Sequence, residues 1–226
     1  MEIVQEPDLP KVAIIIDDMG YHESIGTDLL ECPFELTYSF LPFAPHTKKL
    51  EWMAYLSGKT IFLHLPLQPK GDEWNPGPGA LALEDSPETQ KTKFEKCFEQ
   101  VPHAVGVNNH MGSLYTENEV AMTILLKEIS DRNLCFVDSY TSSGSLGLRI
   151  AQELEVKSAR RHVFLDNILE QEKICAQFEK LVNIAEKYGV GIGIAHPHQV
   201  TADAISFCGE TYKSRVRYVS VMDVLY

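Results

Sequence analysis

The sequence predicts an α/β fold built on a mostly parallel sheet. Its 226 residues hold eight short apolar runs, and segments with helix-capping residues separate several of these runs. The runs are nearly continuous in apolar residues, which is typical of strands that are buried on both faces. Strands that alternate with helices in this way form parallel sheets, either open or closed.

The eight predicted strands are spread along the whole chain after residue 10. They cover residues 12–17, 36–41, 60–65, 104–108, 134–138, 162–165, 191–195 and 217–222. We expect one domain over residues 11–226, because its length suits a single large core and nothing forces a second boundary. Residues 1–10 are a polar lead-in to the first strand.

Three of the helices between these strands have recognisable ends. Ser86 stands before Pro87, which places a capping residue ahead of proline at the first helical position. A capping box that begins at Thr116 opens a helix to about residue 131. Asn167 can cap a long helix that Gly189 ends.

Composition excludes several classes of function. The chain carries 20 Lys and Arg against 32 Asp and Glu, a net charge of −12, so a nucleic-acid partner is not expected. No apolar run is long enough to predict a transmembrane segment. The five cysteines lie far apart and are odd in number, which predicts neither a disulfide framework nor a thiolate zinc site. The oligomeric state is not indicated.

One connection is unusually long. Residues 68–85 hold three glycines and three prolines around Trp74, with no helical period. Long loops of this kind are uncommon and often functional. We expect this loop to line a substrate groove, with the Trp74 ring offering a flat apolar surface to a sugar. A surface loop with a packed tryptophan is the alternative.

Seven places share a second feature, an apolar run that ends in a polar cluster rich in Asp, His or Asn. The carboxyl ends of parallel strands meet on one face, so such residues are expected to share a site. Asp17 and Asp18 follow an Ile-rich run, and one carboxylate can bind a cation while the other accepts a proton. Helix capping is the alternative for this pair.

The other clusters contribute imidazoles, amides and further carboxylates. His64 lies inside an apolar strand, where a lone histidine is usually structural, and His110 follows two asparagines in the next predicted strand. His196 and His198 follow a glycine-rich strand, which lets another group approach closely. The candidate substrate or supporting residues are Asn109, Ser113, Asp138, Asp166, His198 and Trp74.

Taken together, the clusters predict a metal-assisted hydrolase. Asp18, His64 and His110 offer one carboxylate and two imidazoles, a ligand set that suits zinc or a similar divalent ion and leaves positions open. Asp17 can act as the base and His196 as the acid.

These same residues carry a resemblance to a known family. From Lys11 onward, six segments resemble the divergent polysaccharide deacetylase family, of which Asn108-Asn109-His110-Met111-Gly112-Ser113 is the most specific. The others are Ile14-Ile15-Ile16-Asp17-Asp18-Met19-Gly20, His64-Leu65-Pro66, Phe136-Val137-Asp138-Ser139, Val163-Phe164-Leu165-Asp166-Asn167 and Ala195-His196-Pro197-His198.

The resemblance implies both a fold and an activity. The related polysaccharide deacetylases of carbohydrate esterase family 4 form irregular (β/α) barrels, here with seven to eight mostly parallel strands, and remove acetyl groups from N-acetylated sugars with a divalent metal. By this resemblance Asp17 is the base, Asp18 a metal ligand and His196 the acid. Gln68 stands where the family has its second metal-binding histidine, and we hypothesise that His110 replaces it.

Two other functions stay open at this stage. A catalytically silent protein could keep the barrel to bind envelope glycan or a partner, and an amidohydrolase of small amides could use the same residues. Resemblance also implies an extracytoplasmic location, with a cytoplasmic one as the alternative favoured by unpaired cysteines.

Overall fold

Every strand pairing in the computed structural model, which describes residues 9–226, is parallel. The main sheet runs in the order β6-β5-β4-β3-β2-β1-β8-β7, and β9 pairs with β1 outside this path. The strands are β1 (Lys11–Met19), β2 (Thr37–Phe40), β3 (Thr60–Leu67), β4 (Gly106–Met111), β5 (Cys135–Asp138), β6 (Ser158–Arg160), β7 (Val163–Phe164), β8 (Val190–Ala195) and β9 (Arg217–Tyr218).

Helices cover the outer face of this sheet. They are α1 (Glu23–Leu30), α2 (Thr47–Leu56), α3 (Pro87–Phe98), α4 (Glu119–Asp131), α5 (Gly147–Glu153), α6 (Gln171–Tyr188) and α7 (Gln199–Tyr212), with 3-10 helices at Tyr115–Glu117 and Val221–Val224. This arrangement confirms the α/β class and the irregular (β/α) barrel. The predicted lead-in falls largely on residues 1–8, which lie outside the described residues. Within residues 9–226, each helix is too short or too polar to cross a membrane.

The sheet curls because its two edge strands are neighbours in the chain. Only Arg161 and His162 separate β6 from β7. The Arg161 N–H donates to the Asp138 carbonyl of β5, and the His162 N–H donates to the Ile192 carbonyl of β8. The two edges are therefore drawn together by the chain itself. No ladder joins β6 to β7 among residues 9–226, so the barrel stays open on that side.

Side chains on the sheet alternate between two apolar clusters. The larger cluster packs the outer face against the helices, and a smaller one fills the interior. The interior cluster includes Ala13 and Ile15 of β1, and Val219, Val221 and Val224 close its amino-terminal end. The predicted last strand, residues 217–222, is thus shorter than expected, because the chain turns into a 3-10 helix to plug the barrel.

Several local predictions are confirmed and others are wrong. Ser86 caps α3, and Gly189 ends α6 with a φ of 85°. Thr116 does not cap α4, because it lies in a 3-10 helix and Asn118 accepts the hydrogen bond from the Ala121 N–H instead. Asn167 does not cap α6, which begins four residues later at Gln171. The strand β6 was not predicted, since its sequence is not an apolar run.

The expectation that all five cysteines are unpaired is also wrong. Cys175 of α6 and Cys208 of α7 form a disulfide, whereas Cys32, Cys97 and Cys135 are free and buried. The partners are 33 residues apart, on either side of β8. Their pairing depends on the packing of α6 against α7, for which cysteine spacing gives no signal.

Candidate metal centre

The carboxyl ends of β1, β3 and β4 bring one carboxylate and two imidazoles into contact. Asp18 Oδ1 lies 2.9 Å from His110 Nδ1 and 3.3 Å from His64 Nε2. The two imidazole nitrogens lie 3.2 Å apart. Ligands held about 2.1 Å from one cation at tetrahedral or octahedral angles are separated by about 3.0–3.4 Å. The three atoms are therefore spaced as neighbouring ligands of a single ion would be.

The surroundings of Asp18 also fit a divalent cation. Asp18 Oδ1 is buried and has no hydrogen-bond partner among the described residues. Burial opposes ionisation of Asp18, but the two nearby imidazoles outweigh it and hold the pKa of this carboxyl well below its usual range. An ionised, buried oxygen without a hydrogen bond is costly unless a positive charge binds it.

Asn108 fixes the orientation of the His64 ring. Its Oδ1 atom lies 3.0 Å from His64 Nδ1, and an amide oxygen only accepts, so Nδ1 carries the proton. The lone pair of Nε2 is then free to face Asp18 and His110. Supporting hydrogen bonds of this kind fix the tautomer of metal-binding histidines.

The side-chain amide of Asn108 also holds the carboxylate of Asp17. Asn108 Nδ2 donates to Asp17 Oδ1 over 2.7 Å and to Ser139 Oγ over 3.2 Å, and Ser39 Oγ donates to Asn108 Oδ1. Asp17 is only 2% exposed. Burial raises its pKa, partly offset by His64, His196 and Asn108. A carboxylate with a raised pKa, held beside two imidazoles, is suited to accept a proton.

Asp166 orients His196 on the opposite side of the site. Asp166 Oδ1 lies 3.0 Å from His196 Nδ1, and Asp166 Oδ2 accepts from the His196 backbone N–H over 2.6 Å. Nδ1 therefore donates to Asp166, and Nε2 is left for other partners. Asp138 has a different role, because its oxygens accept from the Tyr140 N–H and, at the start of α5, from Ser145 Oγ and the Leu148 N–H.

Of the supporting residues predicted from the sequence, Asp166 therefore orients His196, and Asp138 and His198 do not. His198 is exposed at the N-terminal end of α7. Asn109 and Ser113 also lie beside the centre rather than in it. Asn109 bonds the backbone of Met111 and Ser139, and Ser113 accepts from the Lys70 N–H.

Backbone strain marks the rim of the site. Asp18, Met111 and Tyr140 have φ values of 52°, 52° and 51°, and each lies at the carboxyl end of a strand or just after it. Such left-handed conformations cost about 1–3 kcal/mol in non-glycine residues and often cluster at functional sites. In β1 the strain accompanies a register shift between Ile16 and Met19, which separates the two adjacent carboxylates.

Gln68 does not reach the metal ligands. Its side-chain Oε1 accepts from the Leu83 N–H over 2.8 Å, and its carbonyl accepts from Leu114 and Tyr115. Gln68 therefore fastens the long loop to β3. The third nitrogen or oxygen in the cluster comes from His110 instead, as hypothesised from the sequence, although metal binding itself stays a prediction.

Two cavities open beside the candidate ligands. The first has about 100 Å³ of space open to the centre of a water-sized sphere and is walled by Asp18, Tyr21, Leu41, Pro42, Phe43, Ala44, Pro66, Asn75, Pro76, Gly77, Pro78 and His110. The second has about 220 Å³ of such space and is walled by Asp18, Tyr21, His22, His196, Pro197 and His198. The long loop lines the first cavity through residues 75–78. Trp74 itself is 59% exposed and is not part of that wall.

A titration tests the Asp166–His196 pair. Burial opposes protonation of His196, but its hydrogen bond to Asp166 and the nearby carboxylates outweigh burial and raise its pKa to about 9. NMR titration of the metal-free protein should show this value, and Asp166→Asn should move it toward the ordinary value of about 6.5. In the unmodified protein His196 should therefore stay protonated up to about pH 9 and lose its proton as pH rises through that value.

His162 provides the control for this titration. Burial, with the charges of Arg160 and Arg161, lowers its pKa, and Asp166→Asn should leave it unchanged. A His196 pKa at or below the ordinary value would contradict the assignment.

Comparison with known proteins supports the fold. A sequence model described as divergent polysaccharide deacetylase matches residues 14–225. The uncharacterized protein YibQ of Escherichia coli (strain K12) is 34% identical over 191 residues, which cover 84% of this chain and 60% of that protein. The chain thus spans about three fifths of the length of this relative.

Solved structures show the same architecture. The uncharacterized protein ATU2773 from Agrobacterium tumefaciens C58 is 25% identical, has a TM-score of 0.91 and matches 96% of this chain and 89% of its own. The catalytic domain of peptidoglycan N-acetylglucosamine deacetylase from Eubacterium rectale has a TM-score of 0.58 at 12% identity, with 95% and 90% covered. BA3943, a CE4 family pseudoenzyme from Bacillus anthracis, has a TM-score of 0.60 at 10% identity, with 96% and 66% covered.

Proposed function

The chain belongs to the divergent polysaccharide deacetylase family, and we propose that it is a divalent-metal-dependent hydrolase that cleaves the amide bond of an N-acylated sugar. The observation that carries this proposal is the convergence of Asp18, His64 and His110 within 3.3 Å of one another, beside a buried carboxylate and a carboxylate-held imidazole. Neither a structural cluster nor a simple binding site needs all of these groups.

The three converging atoms would hold the cation, and the ligand set of two nitrogens and one oxygen favours zinc. A cation held there supplies Lewis-acid chemistry, which polarises a carbonyl group and makes a water molecule more acidic. Three protein ligands would leave coordination positions for both, because catalytic zinc takes four or five ligands.

The remaining residues of the chain handle protons. Asp17 accepts the proton that the attacking water loses, while Asn108 holds its Oδ1 atom in place. His196 donates the proton that the leaving nitrogen needs, from Nε2, because Asp166 occupies Nδ1. One water and one amide thereby yield one carboxylate and one protonated amine. Each proton-transfer group of this kind typically contributes about 10²–10⁴-fold to the rate.

Metal removal and restoration tests the proposal. Chelator-treated protein should release no amine from N-acetylglucosamine oligomers, and added zinc should restore the release, measured with an amine-reactive fluorophore. If the zinc-loaded protein binds the oligomers but never cleaves an N-acyl sugar, a silent binding protein replaces the hydrolase. Faster cleavage of compact amides than of any sugar would instead favour a small-amide hydrolase.

A further inference from the structure

The two cavities beside the candidate metal ligands divide the space for a substrate. Both include Asp18 and Tyr21 in their walls, so they meet at the candidate cation position. Only the first contains His110, and only the second contains His196. A molecule whose reacting carbonyl lies beside Asp18 must extend one part into each cavity.

The position of His196 decides which part lies where. A general acid must be within reach of the atom that it protonates. In amide hydrolysis that atom is the leaving nitrogen, so the amine side of the substrate belongs in the second cavity, beside His196. The acyl side, on the other flank of the carbonyl, then belongs in the first cavity. This assignment rests on the proposed function.

The wall of the first cavity suits an apolar group and not a sugar ring. Leucine, phenylalanine, alanine and four prolines make up most of it, with Asp18, His110, Tyr21 and Asn75 as its polar members. Asn75 Oδ1 already accepts from the Gly77 N–H over 2.9 Å, and Asp18 and His110 face each other. Few partners remain for hydroxyl groups, whose burial without hydrogen bonds is unfavourable.

The size of the cavity points the same way. The space in it that is open to the centre of a water-sized sphere is about 100 Å³, well above the roughly 10–15 Å³ that one water molecule needs. An acetyl group would place a single methyl group there. Phe43, Pro76 and Pro78 belong to the apolar part of the wall and give a longer chain surface to cover.

We propose that the substrate carries an apolar acyl chain longer than acetyl, which lies in the cavity lined by Phe43, Pro76 and Pro78. The protein would release a straight-chain carboxylate of several carbons from an amine held beside His196. The long loop after β3 thus determines the specificity for the acyl group, while Trp74 contributes nothing to it.

Calorimetry with carboxylates tests this without requiring turnover. Acetate, butyrate and hexanoate, as sodium salts, are titrated into the zinc-loaded protein. Each buried methylene contributes about fourfold in affinity at full burial, so hexanoate should bind at least about tenfold more tightly than acetate. Cleavage of N-acetyl- and N-hexanoylglucosamine, followed by amine release, should show the same preference.

Phe43→Ser and Phe207→Ser form a matched pair for this measurement. Both rings are exposed, by 41% and 61%, but only Phe43 lines the cavity. Phe43→Ser should lower the preference for hexanoate about threefold or more and leave acetate binding within about twofold. Phe207→Ser should change neither.

The outcomes separate this inference from the proposed function. Equal binding of acetate and hexanoate, or exclusion of hexanoate, would overturn the acyl-chain assignment while metal-dependent hydrolysis of N-acetyl sugars stood. If no carboxylate binds and no N-acyl sugar is cleaved, both proposals fail.

Discussion

Asp17→Asn is expected to lower kcat about 10²- to 10⁴-fold while the protein keeps its bound metal. The amide retains an oxygen that can accept from Asn108 Nδ2, so the geometry around His64 should persist. What is lost is a carboxylate that accepts a proton, because an amide nitrogen or oxygen is far too weak a base. Turnover and zinc content are measured on the same preparation.

Asp28→Asn is the control for this variant, since Asp28 is exposed on α1 and is not in the wall of either cavity. It should match the unmodified protein in both measurements. Full activity in Asp17→Asn would remove Asp17 from the role of base. Loss of metal in that variant would make Asp17 a ligand instead.

His110→Ala is expected to weaken zinc binding by about 100-fold or more, whereas Gln68→Ala should leave it unchanged. Loss of a supporting hydrogen bond alone typically costs 10- to 100-fold in metal affinity, and loss of a ligand costs more. His110 Nδ1 lies 2.9 Å from Asp18 Oδ1, while Gln68 Oε1 is bonded to the Leu83 N–H. Competition with a fluorescent zinc chelator gives both affinities.

This pair of variants addresses Gln68, which stands where the resemblance to the polysaccharide deacetylases implies a second metal-binding histidine. Gln68→Ala should lower the free energy of unfolding slightly, because it removes the side-chain hydrogen bond from the Leu83 N–H of the long loop. If Gln68→Ala lost zinc and His110→Ala kept it, Gln68, directly after β3, would be the third ligand in place of His110. The His110 hypothesis would then be wrong.

Much of the fold could be predicted because its pattern is local. Each buried parallel strand is an apolar run that can be read within a few residues, and Gly189 and Pro87 mark helix ends by their backbone preferences alone. The strand β6 and the disulfide could not be predicted in this way. Both depend on which elements become neighbours in three dimensions.

The candidate site shows the same division. Residues that stand out by type, such as Asp18, His64 and His110, were found, but Asn108 and Ser139 were passed over in favour of Asn109 and Asp138. Side chains alternate between the two faces of a strand, and this alternation distinguishes Asn108 and Ser139 from their neighbours Asn109 and Asp138. Val137 belongs to the interior cluster, and Gly106 faces Cys135 and Phe62 of that cluster. Each stands two residues before Ser139 and Asn108 respectively, so these latter residues continue the inward-facing row.

The same alternation explains why the site lies at the barrel mouth. Interior apolar residues give way to polar ones at the carboxyl end of each row, as Ile15 precedes Asp17, Phe62 precedes His64 and Ile194 precedes His196. This alternation does not show which carboxylate pairs with His196. Asp166 does so because β7 lies beside β8, a neighbour relation set by the curl of the sheet.

Zinc-edge anomalous diffraction from a crystal soaked in zinc chloride tests the central claim most directly. We expect one strong peak within about 2.0–2.2 Å of Asp18, His64 and His110, with density for further ligands on its open side. A peak only at an exposed pair such as Glu23 and His46, which lie 3.1 Å apart, would contradict the proposed metal centre. So would the absence of any peak between Asp18, His64 and His110 at saturating zinc.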